Sequence, residues 1–170
     1  VTEQALEFTE ERDPSVPFFL TVSYAAPHPP LQPPAFYMDR YLRADLPDPV
    51  IGDWAEMPAN EGLGVNPASM RVNLTGEMLR SAQAAYYGMI NHVDDQIRRL
   101  LNQITGGTYD LRNTIVVFTS DHGEMLGDHH LFRKQWSYEG SARIPMLIQP
   151  PEHLGYDKSC VSEAPVCLED

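Results

Sequence analysis

The sequence predicts an α/β fold, on three observations. Short apolar runs of strand length lack the in-out alternation of a half-exposed sheet. A long amphipathic helical segment lies between two of them. The two least regular loops both leave the carboxyl ends of such runs, where open α/β sheets bind ligands.

Taken in order, Val1 to Asp13 reads as the tail of a helix. Pro17-Phe-Phe-Leu-Thr-Val-Ser-Tyr24 is a continuous apolar run, the pattern of a strand buried on both faces. It stops at Ala25-Ala-Pro-His-Pro-Pro30, where prolines fix the backbone and end any regular structure. Residues 31–75 read as an irregular insertion loop rich in Pro, Gly and Asn, with one short amphipathic piece at Ala35 to Leu42. A stretch of that kind in a compact domain is often functional. Asn73-Leu-Thr75 fits a glycosylation sequon, a match common by chance. Gly76 to Ile104 predicts the longest helix, with Tyr86, Ile90, Val93, Ile97, Leu100 and Ile104 on one face. Gly106-Gly107 ends it. Asn113-Thr-Ile-Val-Val-Phe-Thr-Ser120 predicts a second buried strand, rich in β-branched residues. Arg143-Ile-Pro-Met-Leu-Ile-Gln149 predicts a third, whose proline suits an edge. Val166 to Asp170 reads as the beginning of a helix.

The net charge of −12 argues against nucleic acid or an anionic membrane as a partner, since both are met through a positive field. A small anion stays open as a ligand, because a metal ion and a few local cations outweigh distant acids. No run approaches the roughly 20 apolar residues that span a bilayer. The start is acidic and lacks the basic and apolar regions of a signal peptide. With a first residue that is Val rather than Met, this reads as a piece of something longer. Cys160 and Cys167 are too few for a disulfide framework.

The chemistry concentrates after the second run. The eleven residues Ser120 to His130 hold three histidines and three carboxylates. An Asp beside a His at a strand end presents one oxygen and one nitrogen to a divalent ion. Oxygen donors suit Ca²⁺ or Mg²⁺, imidazole suits Zn²⁺ or Mn²⁺, and Gly123 and Gly127 let the backbone turn around the site. A solvated polar loop is the equal alternative at this point. Lys134, set among aromatics, can be a fixed point charge for an anion or a snorkelling surface lysine. His28, framed by Pro27 and Pro29, suits a histidine held in one orientation, or a loop histidine without a role. Asp94-Asp95 lies mid-helix with Arg98 and Arg99 one turn later, so it reads as an ion-paired solvated face and not a metal site.

The segment Thr119-Ser-Asp-His-Gly-Glu-Met-Leu-Gly-Asp-His129, continued by Lys134 and Tyr138-Glu-Gly-Ser-Ala-Arg-Ile-Pro145, resembles the sulfatase family of the alkaline phosphatase superfamily. Pro17 to Pro30, and Tyr86 through Leu101, are similar to that family's histidine segment and its following helix, so the resemblance covers nearly the whole chain in order. It implies a partial sulfatase catalytic domain over residues 1–170. The implied fold is part of an alkaline-phosphatase-like sandwich, with a central, mostly parallel or mixed sheet flanked by helices. It implies that Asp121 and His122 hold a divalent metal, usually Ca²⁺ in the family. Lys134 would grip the sulfate oxygens, and His28 would touch the sulfate and help protonate the leaving group. His129 would lie near the substrate.

The family's nucleophile, a hydrated formylglycine made within a Cys/Ser-x-Pro/Ala-x-Arg motif, is expected in a longer parent. Neither Cys160 nor Cys167 begins such a motif, and Ser15-Val-Pro-Phe-Phe19 lacks the arginine. The expectation is therefore a sulfuric ester hydrolase, arylsulfatase-like, of which this piece alone is inactive and binds metal weakly. The alternatives are a phosphodiesterase or phosphonate monoester hydrolase of the same superfamily, or a non-catalytic anion-binding domain. Exposed sheet edges predict self-association of the isolated chain. Family habit places the parent in the periplasm or outside the cell.

Overall fold

The computed structural model describes residues 1–58, 73–106, 113–156 and 160–169. The predicted glycines that close the long helix lie partly outside that set, as does most of the second half of the 31–75 loop.

Helix α1 spans Thr2–Glu11, and its buried residues Thr2, Ala5, Leu6 and Thr9 fall on one face at helical spacing. That face meets the long helix α3, Gly76–Gly106, through a small cluster of Ala5, Leu6 and Leu100 flanked by Val22 and Ile104. Two polar ties flank the cluster. The Arg99 guanidinium donates to the Glu3 carboxylate at 2.6 Å, and Gln103 Nε2 donates to Glu10 at 2.8 Å. Arg99 is thus engaged away from Asp95, which pairs instead with Arg98 at 3.2 Å.

Helix α2, Ala35–Leu42, starts directly after Pro34 and lies against the middle of α3. Tyr37 Oη donates to Asp95 Oδ2 at 2.8 Å, and Tyr41 stacks on Tyr87 with centroids 5.7 Å apart. Gly88 allows the approach, since a β-carbon there would stand 3.2 Å from Met38 N and Tyr37 C. The buried stripe of α3 in this half is therefore Ala84, Ala85, Gly88 and Met89, and not the larger side chains expected, of which Ile90 is exposed. Small residues win here because backbone, from α2 and from 44–47, packs against the helix. Arg80 donates to the carbonyls of Ala44 and Leu46, and Gln83 Nε2 to that of Pro47.

Strand β1, Val116–Thr119, pairs antiparallel with β2, Met146–Gln149, in the register Val116 with Gln149 through Thr119 with Met146. Among the described residues this antiparallel pair is the whole sheet, where the resemblance implied a mostly parallel or mixed one. Helices and strands together give the mixed α/β architecture expected.

Three expectations need correction. Pro17–Tyr24 has no regular secondary structure and joins no ladder among the described residues, and Phe19 is 93% exposed. The β1 and β2 side chains are likewise mostly exposed, with Val117, Phe118, Leu147 and Ile148 all open to solvent. A two-sided apolar pattern states what a strand is suited to bury, but burial needs a facing layer, and none covers these faces among the described residues. The expected helix start near Val166 is a turn. Cys160 and Cys167 are exposed thiols. Among the described residues no helix is long and apolar enough to cross a membrane.

Candidate functional site

The site begins where β1 ends. Ser120 Oγ donates back to the His122 carbonyl at 2.7 Å and so turns the chain out of the strand. Asp121 is left with its side chain 84% exposed, its Oδ2 3.6 Å from His122 Nε2. His122 Nδ1 lies 2.8 Å from the Gly123 carbonyl, and His28 Nδ1 lies 2.8 Å from that of Pro29. A carbonyl only accepts, so both rings carry their proton on Nδ1 and keep Nε2 as the working atom. The two rings, ninety-odd residues apart in sequence, stand edge to face at 6.3 Å. The proline-framed loop is itself closed by the His28 N–H donating to the Ala25 carbonyl at 2.9 Å.

Asp121 and His122 fit a shared divalent ion. Metal bonds of about 2.0–2.5 Å that meet near a right angle put two donor atoms about 3–3.6 Å apart, close to the spacing here. The Nδ1 hydrogen bond that fixes the ring is the usual companion of a ligating imidazole. Among the described residues no third Asp, Glu, His or Cys joins them to form a cage.

The rest of the loop is folded about two buried side chains, Met125 and Leu131. Leu126, His129, His130 and Arg133 all have positive φ, which for residues with a β-carbon costs on the order of 1–2 kcal/mol each. Hydrogen bonds hold them there. Gly127 N–H reaches the Leu131 carbonyl at 2.9 Å, Met125 N–H the Arg133 carbonyl at 3.0 Å, and the Glu124 carboxylate accepts the N–H groups of Leu126 and Arg133.

Lys134 leaves this knot at its far end. Its carbonyl accepts the hydroxyl of the buried Ser141 at 2.7 Å. Ser141 belongs to the short helix α4, Glu139–Ala142. The Ser141 carbonyl in turn accepts Gly123 N–H at 2.8 Å, and the Gly140 carbonyl accepts Glu124 N–H at 2.7 Å. One buried serine thus ties the lysine to the Asp121-His122 turn. Ser141 was not among the residues expected in the site, since a serine in a Gly-Ser-Ala stretch carries no distinctive local signal.

His129 makes its contacts with a different part of the chain. Its Nδ1 accepts Gly52 N–H at 3.0 Å, its backbone N–H donates to Val50 O at 2.8 Å, and its ring lies 4.8 Å from that of Trp54 and 5.0 Å from that of Tyr138. Asp128 Oδ1 accepts Val50 N–H at 2.9 Å. This histidine anchors the irregular 31–58 segment to the site loop. Trp54 was not a candidate from sequence, because a contact across so many residues leaves no local pattern. Asp94 and Asp95 stay on the surface of α3, remote in kind from a metal pair, with Asp95 engaged by Tyr37 and Arg98.

Comparison with known proteins places these residues in context. The Sulfatase family model matches residues 1–160. The chain is 47% identical to an arylsulfatase of Clostridium perfringens over 155 residues, 91% of this chain and 32% of that protein. It is 34% identical to the multifunctional alkaline phosphatase superfamily protein PehA of Trinickia caryophylli, over 96% of this chain and 35% of the relative. The crystal structure of a phosphonate monoester hydrolase from Agrobacterium radiobacter superposes with a TM-score of 0.73 at 29% identity, covering 91% of this chain and 33% of that one. The chain thus spans about a third of the length of the curated relatives it matches. The superposition supports the α/β, alkaline-phosphatase-like class for this third.

Proposed function

The chain belongs to the sulfatase family, and from that premise we propose that it supplies the metal-holding and anion-gripping part of a sulfuric ester hydrolase. The observation that carries the reading is the convergence of His28 and His122, with Asp121 beside them, at the carboxyl end of β1. In this proposal Asp121 and His122 would hold a divalent ion, with Ca²⁺ favoured by the carboxylate oxygen, which would offset charge on the ester oxygens, while a formylglycine elsewhere in the parent would supply the nucleophile.

The chain's own residues do the following. Lys134 holds its ammonium on the sulfate oxygens as a point charge, its backbone fixed by Ser141. His28 keeps Nδ1–H on the Pro29 carbonyl, which orients the ring. In its charged form it carries a second proton on Nε2, and it passes that proton to the bridging oxygen as the S–O bond breaks. The substrate is a small sulfate ester. The parent's compartment is proposed to be the periplasm or the cell exterior.

A second reading is favoured by the superposition with a phosphonate monoester hydrolase. There the same residues would grip a phosphonate monoester. Protein expressed from the full open reading frame that encodes this chain separates the two. Its kcat/KM should be higher for 4-nitrophenyl sulfate than for a phenyl phosphonate monoester or bis-4-nitrophenyl phosphate. The reverse order by tenfold or more would favour the second reading. Binding of sulfate with no turnover of any of the three would leave an anion-binding domain.

A further inference from the structure

The reading as a sulfate ester hydrolase accounts for the anion but not for the alcohol half of the ester. Three rings from separate parts of the chain meet on the site loop. Trp54 and Tyr138 stack nearly parallel, 18° apart with centroids at 5.6 Å, and the His129 ring lies within about 5 Å of each. Trp54 remains 52% exposed and Tyr138 37% exposed.

These rings are fixed in place. Gly52 donates to His129 Nδ1, and the indole folds so closely over Gly52 that a β-carbon there would stand 2.5 Å from Nε1. The N–H and the carbonyl of Val50, bonded to Asp128 Oδ1 and His129 N–H, clamp the segment just ahead of Gly52. A partly exposed aromatic cluster that is already held in place binds a ring at little ordering cost.

The rings are also tied to the anion-gripping residues. His129 shares one hydrogen-bonded loop with Asp121, His122 and Lys134. The Tyr138 carbonyl accepts the N–H of Ser141, whose hydroxyl holds Lys134.

We propose that Trp54 and Tyr138, seated on His129, form a ring-binding subsite for the alcohol portion of the sulfate ester. The proposal rests on the sulfate ester reading. An uncharged π-faced platform takes a planar aryl ring or the C–H face of a sugar ring, and it selects by ring shape rather than charge.

The test uses the full-open-reading-frame protein with 4-nitrophenyl sulfate and N-acetylglucosamine 6-sulfate, the faster of the two identifying the ring taken. Trp54→Ala should raise KM for that substrate about three- to tenfold, the scale of one ring contact. Inhibition by inorganic sulfate, which fills only the anion site, should stay within about twofold. Trp54→Phe should restore KM. An equal weakening of sulfate inhibition, or an unchanged KM in Trp54→Ala, overturns the subsite. A wild-type protein that hydrolyses no sulfate ester overturns the underlying reading, and the subsite with it.

Discussion

A β-carbon on Gly123 would stand 2.2 Å from the Gly140 carbonyl oxygen, far inside contact distance, and the obstructing atom belongs to backbone. The Asp121-His122 turn therefore reaches α4 only because position 123 has no side chain. Gly123→Ala should destabilise the full-length protein by about 1–3 kcal/mol, read as a lower urea midpoint, because backbone must separate. Tyr86 offers a pH test. Its hydroxyl is pushed up to about 12, first by burial and then by the negative charge of Glu124. A phenol harder to ionise folded than unfolded contributes stability below the ordinary tyrosine range and loses it above. Stability should fall between about pH 10 and 12, and Tyr86→Phe should flatten that fall in denaturation curves taken across the range. At this scale residue type and spacing marked Asp121, His122, Lys134 and His28 as candidates, and the family resemblance gave them roles that the tests above address. Ser141 and Trp54 were not legible, because their contacts are made across space by groups with no distinctive local pattern.

Helices were easier to read than strands. The bounds of α1, α2 and α3 follow from periodicity, proline and glycine, which act within a turn or two. Their partners do not follow. The stripe expected through Tyr86 and Ile90 gave way to Ala84, Ala85 and Gly88 because α2 packs its backbone there. Gly88→Val should push α2 from α3 and cost about 1–3 kcal/mol, measurable by thermal or urea unfolding. An unchanged midpoint would mean that α2 contributes little to holding the fold. For the strands, apolar composition located β1 and β2 to within a few residues, but not their burial. Pro17–Tyr24 shows why. An apolar segment becomes a strand only when a neighbour supplies the ladder, and nothing within the segment names that neighbour.

For the whole molecule, the apolar surface left open is the dominant physical fact. Phe19, Ile115, Val117, Phe118, Leu147 and Ile148 are all exposed. The 170 residues alone should self-associate, so light scattering should show a mass above the monomer that falls when Phe118 and Ile148 are replaced by Lys. A clean monomer at high concentration would contradict this. The fold class was legible because strand-like runs, a long helix and loops at strand ends constrain the architecture together. The substrate's identity was not, because the loops that would select it carry no distinctive local pattern. The central claim is that this chain holds the anion-gripping residues of a sulfate ester hydrolase. Its most direct test is Lys134→Ala in the full-length protein. The account predicts a fall in kcat/KM for 4-nitrophenyl sulfate of about a hundredfold or more, with the unfolding midpoint unchanged. An undiminished kcat/KM would contradict it.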